Sequence, residues 1–288
     1  MAAGSARGGE RALAVPLVLP PARDDVPLVA VAHGTAEIDG LRTLDALMSR
    51  VRFLRPGLEA SLGFLATADP QPSRLLAELA GRGVREVVVL PLFLGSGRRA
   101  LHDVPAEVRR IREVRDVPET VGGAGEAAEA PSEPARELLV HTARPLGPDP
   151  LLAQVLTERL GAVSGRVFGT QVVLVAAGSP DRRANADAFV MAGLLSERIG
   201  TQVRTAFLRH AEPSAGSVLT RLARRGRPVV VATYLLAEGA HLQRLRDTAA
   251  LAGLEPEAVR TPRVAGPLGS HELVARLLLR RYDQALFA

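Results

Sequence analysis

The sequence predicts an α/β protein built from two copies of one unit. Three observations carry this reading. Short apolar runs alternate with longer helix-like stretches, the pattern of strands joined by right-handed helical crossovers. The runs are apolar at nearly every position, as in Val87-Val88-Val89-Leu90, which suits a parallel sheet covered on both faces. Finally, short residue landmarks recur in the second half at a nearly constant offset.

In the first half, strands are expected at 27–32 (PLVAVA), 58–65 (LEASLGFL), 85–94 (REVVVLPLFL) and 137–142 (ELLVHT). The intervening helices are expected at 40–55, 72–83, 104–113 and 149–161. The second half repeats the order, with strands at 171–176 (QVVLVA), 202–208, 228–236 (PVVVATYLL) and 258–264. Its helices are expected at 183–199, 214–225, 241–253 and 271–286. Ala-Gly-Ser at 177–179 answers His-Gly-Thr at 33–35, an offset of 144. Phe207-Leu-Arg-His-Ala-Glu-Pro answers Phe64-Leu-Ala-Thr-Ala-Asp-Pro, and Gly239-Ala-His answers Gly97-Arg-Arg, at offsets of 143 and 142. Pro267-Leu-Gly-Ser-His answers Pro145-Leu-Gly-Pro-Asp at only 122, so the first copy carries extra residues. They lie at 119–137, a Gly/Ala/Glu/Pro-rich stretch with almost nothing to bury, and are expected to form a flexible surface insertion. Residues 1–25 read as a loose leader, too short and proline-broken in its apolar part to span a membrane. The lobes are therefore expected at 26–163 and 168–288, divided near 163–169.

Composition narrows the chemistry. Cysteine is absent, which removes disulfides, thiolate metal sites and cysteine nucleophiles and fits a cytoplasmic protein. With only 3% aromatic residues and no tryptophan, the core is built from Leu, Val and Ala. All 36 basic residues are arginines, and the net charge is +5. Arginine binds carboxylates in a bidentate fork, so a polyacidic ligand is as natural a partner as nucleic acid. No helix-turn-helix, zinc finger or aromatic-basic RNA-binding pattern is present, so nucleic acid is not expected as a partner, nor is a membrane. GxGxxG and GxxxxGK[ST] are also missing, so no such pattern supports another α/β enzyme that binds an anion at the helix after His33-Gly34.

The ordered landmarks resemble a known family. A first strand ending in His33-Gly34-Thr35, then Phe-Leu-x-x-Ala-Asp-Pro, then Val-Val-Val-x-Pro-Leu-Phe-Leu with a glycine, then Arg-Pro-Leu-Gly-Pro-x-Pro-Leu-Leu are similar to the sirohydrochlorin chelatases. These class II chelatases insert Fe²⁺ or Co²⁺ into a modified tetrapyrrole. The C-terminal Leu-Leu-Leu-Arg-Arg-Tyr-Asp-Gln-Ala-Leu is similar to their two-lobed actinobacterial type. The resemblance implies two Rossmann-like lobes, each a parallel sheet flanked by helices, facing across a cleft.

It also implies a site: a histidine after strand one, an acidic residue after strand two and a second histidine after strand three. His33 and Asp69 fill the first two positions, while Arg99 stands where the second histidine is usual, with His102 nearby. The second half is worn in the complementary way, with Ala177 at the first position and Glu212 and His241 at the others. The expectation is a single-lobe site. His33 and His102 are catalytic, and His33, Asp69 and His102 hold the metal, ahead of His241 and Glu212. Arg98, Arg99, Gly34 and Thr35 bind substrate. A neutral imidazole can both accept a pyrrole proton and ligate Fe²⁺ or Co²⁺, and few ligands make a site that releases its metal.

Structural roles compete at each position. His33 could cap a strand, Asp69 could serve a turn before Pro70, and Gly34 and Gly178 suit tight turns. His102 could be a solvated loop residue and His241 a helix-start residue, while His210, His141 and His271 read as surface or strand-end residues. The function expected is a ferro- or cobaltochelatase, a lyase of sirohaem or cobalamin synthesis. No cofactor is expected to be permanently bound, the divalent metal being a substrate. The alternative is a non-catalytic tetrapyrrole- or metal-binding protein with a degenerate site. Because duplication supplies two lobes in one chain, a monomer is expected.

Overall fold

The structure is a computed structural model that describes residues 23–115, 138–164, 169–255, 258 and 260–287. Most of the expected leader, the expected insertion at 119–137 and most of the expected lobe boundary lie outside the described residues. The first half runs β1 (Leu28–Ala32), α1 (Ile38–Leu54), β2 (Ala60–Phe64), α2 (Pro72–Gly81), β3 (Glu86–Pro91), α3 (Val104–Arg115), β4 (Leu139–Thr142) and α4 (Pro150–Ser164). The second half runs β5 (Gln171–Ala176), α5 (Arg182–Ile199), β6 (Val203–Phe207), α6 (Ala215–Ala223), β7 (Val229–Tyr234), α7 (Ala240–Gly253), β8 (Arg263–Val264) and α8 (Glu272–Leu286). Two details depart from the sequence reading. The last strand shrinks from 258–264 to two residues, and a π-helical turn, Arg99–Asp103, precedes α3.

All pairings between these strands are parallel, in the orders β2-β1-β3-β4 and β6-β5-β7-β8. The register is the same in both sheets: Ala32 pairs with Phe64, and Ala176 with Phe207. The central strands β1 and β5 are fully buried, which explains their unbroken apolar runs.

The sheets follow the halves of the chain, but two of the covering helices do not. α4, at the end of the first half, packs on β7 and α5 of the second. α8, at the end of the second half, packs on α1 and β3 of the first. Polar ties fix this exchange. The Tyr282 hydroxyl lies 2.6 Å from the carbonyl oxygens of both Arg23 and Val26. Arg55 on α1 makes a bidentate pair with Asp283 on α8 at 2.6 and 2.9 Å. Asp149, at the start of α4, is paired with Arg280 and Arg281, and His271 caps α8 while meeting Glu158 of α4 at 2.9 Å. One apolar cluster consequently runs through both halves, from Leu28, Leu47 and Leu90 to Leu156, Leu174, Leu278 and Tyr282. At roughly 1.5–3 kcal/mol for each buried large side chain, this shared core holds the two sheets at a fixed separation.

Candidate functional site

The residues that follow the strand ends of both sheets meet around one cleft of about 740 Å³. Its polar lining includes His33, Arg98, Arg99, Arg209, His210 and His241.

His33 follows β1 directly. The next residue has φ +96°, and a Cβ there would stand 1.7 Å from the Ala66 carbonyl oxygen, so only glycine fits at 34. That close crossing lets the His33 carbonyl accept from the Ala66 amide at 2.9 Å and fixes the backbone that carries the imidazole. The ring is half-buried, and its Nδ1 is buried without a hydrogen-bond partner. An orphaned acceptor or donor in such a place is costly unless a ligand completes it. Burial pushes the His33 pKa below 6.5, and the Arg99 charge pushes it further, against an opposing pull from Asp103.

His241 reaches the same cleft from the second half. It sits at the start of α7 and opens to cleft solvent. Its pKa is also lowered, first by the protein mass around it and then by Arg209, Arg99 and Arg244. The charge of His241 is felt at His33 in turn. Two neutral imidazoles therefore face one opening at neutral pH.

The loops explain how residues far apart in sequence meet. After β3, Ser96 donates from its amide and hydroxyl to Asp187 at 2.5 and 2.6 Å, and the Arg98 amide donates to Asp181 at 2.7 Å. The loop thus rests on α5 of the other half; a Cβ at Gly97 would lie 2.8 Å from the Ala184 Cβ. The loop after β7 does the reciprocal thing, with Gly239 against Glu37 and Thr35, and the Glu238 carbonyl 2.9 Å from a Cβ placed on Gly40. Each third-strand loop crosses to the opposite half, so His241 is delivered to His33 and Arg99 to the neighbourhood of Ala177.

This geometry departs from the expected single-lobe constellation. His102 is exposed and does not line the cleft, because the wide turn Arg99–Asp103 carries it off the face that Arg99 presents. Asp69 is exposed outside the cleft lining. Glu212 is equally outside it, and accepts from the Ser214 amide at 2.7 Å in a local turn. Gly34 and Thr35 are outside the lining, the Thr35 hydroxyl accepting from the Glu37 amide at 3.1 Å. Arg98 and Arg99 do line the cleft, as expected. His210, read as a surface residue, also lines it, along with Arg209. It corresponds to Thr67 in the repeat, both having positive φ, 59° and 66°, after the second strand of their half; Thr67 is outside the lining, so the repeat gives no signal for His210. Among the described residues, no three histidine or carboxylate side chains converge as a ready metal cage.

Behind the cleft lies a smaller apolar pocket of about 250 Å³, bounded by Leu92, Leu94, Ala176, Phe207, Tyr234 and Leu236. The Tyr234 hydroxyl donates to the Leu94 carbonyl at 2.7 Å across the two halves, and burial raises its pKa so that it remains a donor.

The same order of strands and landmarks occurs in known proteins. The CbiX family profile matches residues 27–163 and 171–285, both halves in turn. The chain belongs to the CbiX family. Within reach of this family, the sirohydrochlorin ferrochelatase of Priestia megaterium is 25% identical over 252 residues, covering 86% of each chain. A sirohydrochlorin cobaltochelatase of the same organism is 24% identical over 234 residues, covering 77% of this chain and 68% of that one. In three dimensions, SirB of Bacillus subtilis, solved with Fe³⁺, superposes with a TM-score of 0.74 at 19% identity, over 90% of this chain and 94% of that one. SirB solved with cobalt gives 0.68 at 18% identity, over 90% and 95%. Two parallel four-stranded sheets flanked by helices are thus the fold of this CbiX protein and of its solved relatives.

Among the described residues, no helix is long and apolar enough to cross a membrane.

Proposed function

We propose that this protein is a sirohydrochlorin chelatase, a lyase that places Fe²⁺ or Co²⁺ in a polycarboxylate tetrapyrrole. The observation that carries the reading is the convergence of His33 and His241, both held neutral, in one arginine-rimmed cleft. The metal is a substrate. It is met by two imidazoles rather than by a closed cage, a weak set that can surrender it. The unpartnered Nδ1 of His33 and the imidazole of His241 are the two groups suited to accept pyrrole protons as the metal enters. Membership of the CbiX family and the names of the relatives support the substrate pair. The protein acts as a monomer in this reading, because one chain supplies both walls of the cleft, and the lack of cysteine supports a reducing cytoplasm as its place.

The test is direct. Purified protein is mixed with sirohydrochlorin and Fe²⁺ or Co²⁺, and the change in the tetrapyrrole absorption bands is followed. Insertion faster than the uncatalysed reaction supports the proposal. Tight binding of the tetrapyrrole without faster insertion overturns it in favour of a binding protein. The absence of a three-ligand cage among the described residues is the observation that keeps this second reading in view.

A further inference from the structure

The two halves of the cleft are related by the duplication, yet they carry different chemistry. Backbone contacts establish the correspondence. Leu65 and Ala66 donate to the carbonyls of Ala32 and His33, and Leu208 and Arg209 donate in the same way to Ala176 and Ala177, at 2.9–3.1 Å. A Cβ on Gly34 would strike the Ala66 carbonyl oxygen, and one on Gly178 would strike that of Arg209, at 1.7 and 1.8 Å. His33 therefore corresponds to Ala177, Ala66 to Arg209 and, from the loops after the third strands, His241 to Arg99.

Because those loops cross over, the cleft holds two half-sites. One combines His33 with His241. The matching set is Ala177 with Arg99, and it adds Arg209 where its counterpart has only Ala66; both guanidinium groups line the same cleft, close enough for the Arg99 charge to act on His33 and the Arg209 charge on His241. At the positions matching His33 and His241 the second set carries no imidazole, and it has gained two guanidinium groups, with His210 beside Arg209 at the position matching Thr67. Ala177, a small side chain where the first half has His33, lines the cleft with them. Among the described residues, neither the Arg99 nor the Arg209 guanidinium has a carboxylate partner, whereas Arg98 beside them lies 3.6 Å from Asp103. Unpaired arginines flanking a hollow are free to take a bidentate anion. Arg99 also stands near enough to both imidazoles for its charge to be felt at each.

We infer that the Ala177–Arg99–Arg209 half-site is a carboxylate seat, which holds one acidic edge of the macrocycle and so fixes which way round it lies beneath the imidazole pair. This inference rests on the chelatase reading for the identity of the ligand, but the seat can be tested without metal insertion. A duplicated cleft with equal half-sites would accept a macrocycle in two orientations. The arginine half-site removes that ambiguity.

The experiment titrates the intact protein with uroporphyrin, a metal-free polycarboxylate tetrapyrrole, by fluorescence quenching. Arg99→Gln and Arg209→Gln should each weaken binding about tenfold, the loss expected for a charge-assisted bond. Arg74→Gln on the outer face of α2 should leave it unchanged. A second measurement reads the correspondence of the half-sites. The double variant Ala177→His with Arg99→His should raise Co²⁺ stoichiometry by one site per chain, since it rebuilds an imidazole pair where one is missing. Uroporphyrin binding that is absent, or indifferent to both arginines, overturns the seat whatever the insertion assay gives. An unchanged Co²⁺ stoichiometry in a folded double variant overturns the correspondence. A protein with the seat intact but no insertion activity would instead fail the chelatase reading alone.

Discussion

Replacing His241 by alanine removes one of the paired imidazoles, His33 and His241, that face the cleft, and it separates the cross-lobe site from the single-lobe one. The structural cost should be small. His241 is open to cleft solvent, and substitutions at such positions usually change stability by no more than about 0.5 kcal/mol. His33→Ala should be nearly as mild. It loses part of a half-buried ring but also removes a buried, unpartnered Nδ1, whose burden is about 1–3 kcal/mol. The two effects oppose, so the melting temperature should move by only a few degrees. The kinetic cost should be large: a positioned proton acceptor contributes about 10²–10⁴-fold. Both single variants should therefore lose at least about a hundredfold in the initial rate of metal insertion. The double variant should be little worse than the poorer single one, since the pair acts as a unit. His102→Ala, outside the cleft, should retain most of the rate. Initial rates from tetrapyrrole absorbance, with circular dichroism to confirm folding, decide the matter. A silent His241→Ala beside a crippled His102→Ala would refute the cross-lobe assignment.

Four further outcomes follow from named contacts. His33 and His241 both titrate below 6.5 in the fold, so the acid limb of kcat/KM should lie below pH 6.5, and a limb above it would contradict the neutral-pair reading. By linkage, the unfolded chain binds more protons between those depressed values and 6.5; urea-measured stability should be fully present above about pH 6.5, fall as pH drops through that window, and fall less in His33→Ala. Gly178→Ala should cost about 3 kcal/mol or more, because φ is +80° and the new Cβ would lie 1.8 Å from the Arg209 carbonyl oxygen; a wild-type unfolding midpoint would disprove the crossing. Tyr282→Phe strips a hydroxyl that meets two carbonyls at 2.6 Å and should cost about 1–2 kcal/mol in denaturant unfolding; no change would question how α8 is seated.

The strands were legible because a buried parallel strand has few ways to hide its composition: QVVLVA at 171–176 coincides with β5 residue for residue. The duplication was legible too, since the same turn geometry demands glycine at 34 and 178. What the sequence concealed was which surfaces meet. The apolar face of α8 announces that Leu277, Leu278 and Tyr282 will be covered, but periodicity carries no label for the sheet that covers them. The site suffered likewise. His102 lies three residues from Arg99 and is therefore the near candidate in sequence, while His241 lies in the other half of the chain and reaches the cleft lining by a loop crossing. His210 reads from sequence as a surface residue because a polar residue after a strand ordinarily is one.

The exchanged helices have a consequence for how the chain comes into being. During synthesis the strands of the first sheet emerge early, yet β3 and α1 remain without their cover until α8, at residues 272–286, has left the ribosome. The first half cannot finish folding as a unit while the second is being made. Its exposed apolar face must wait through more than a hundred further residues, at roughly 5–20 residues per second. Two halves that look like beads on a string are thus closed in reverse order: α4 is ready to cover the second sheet before that sheet is made, and a chain interrupted anywhere before α8 leaves the first half open.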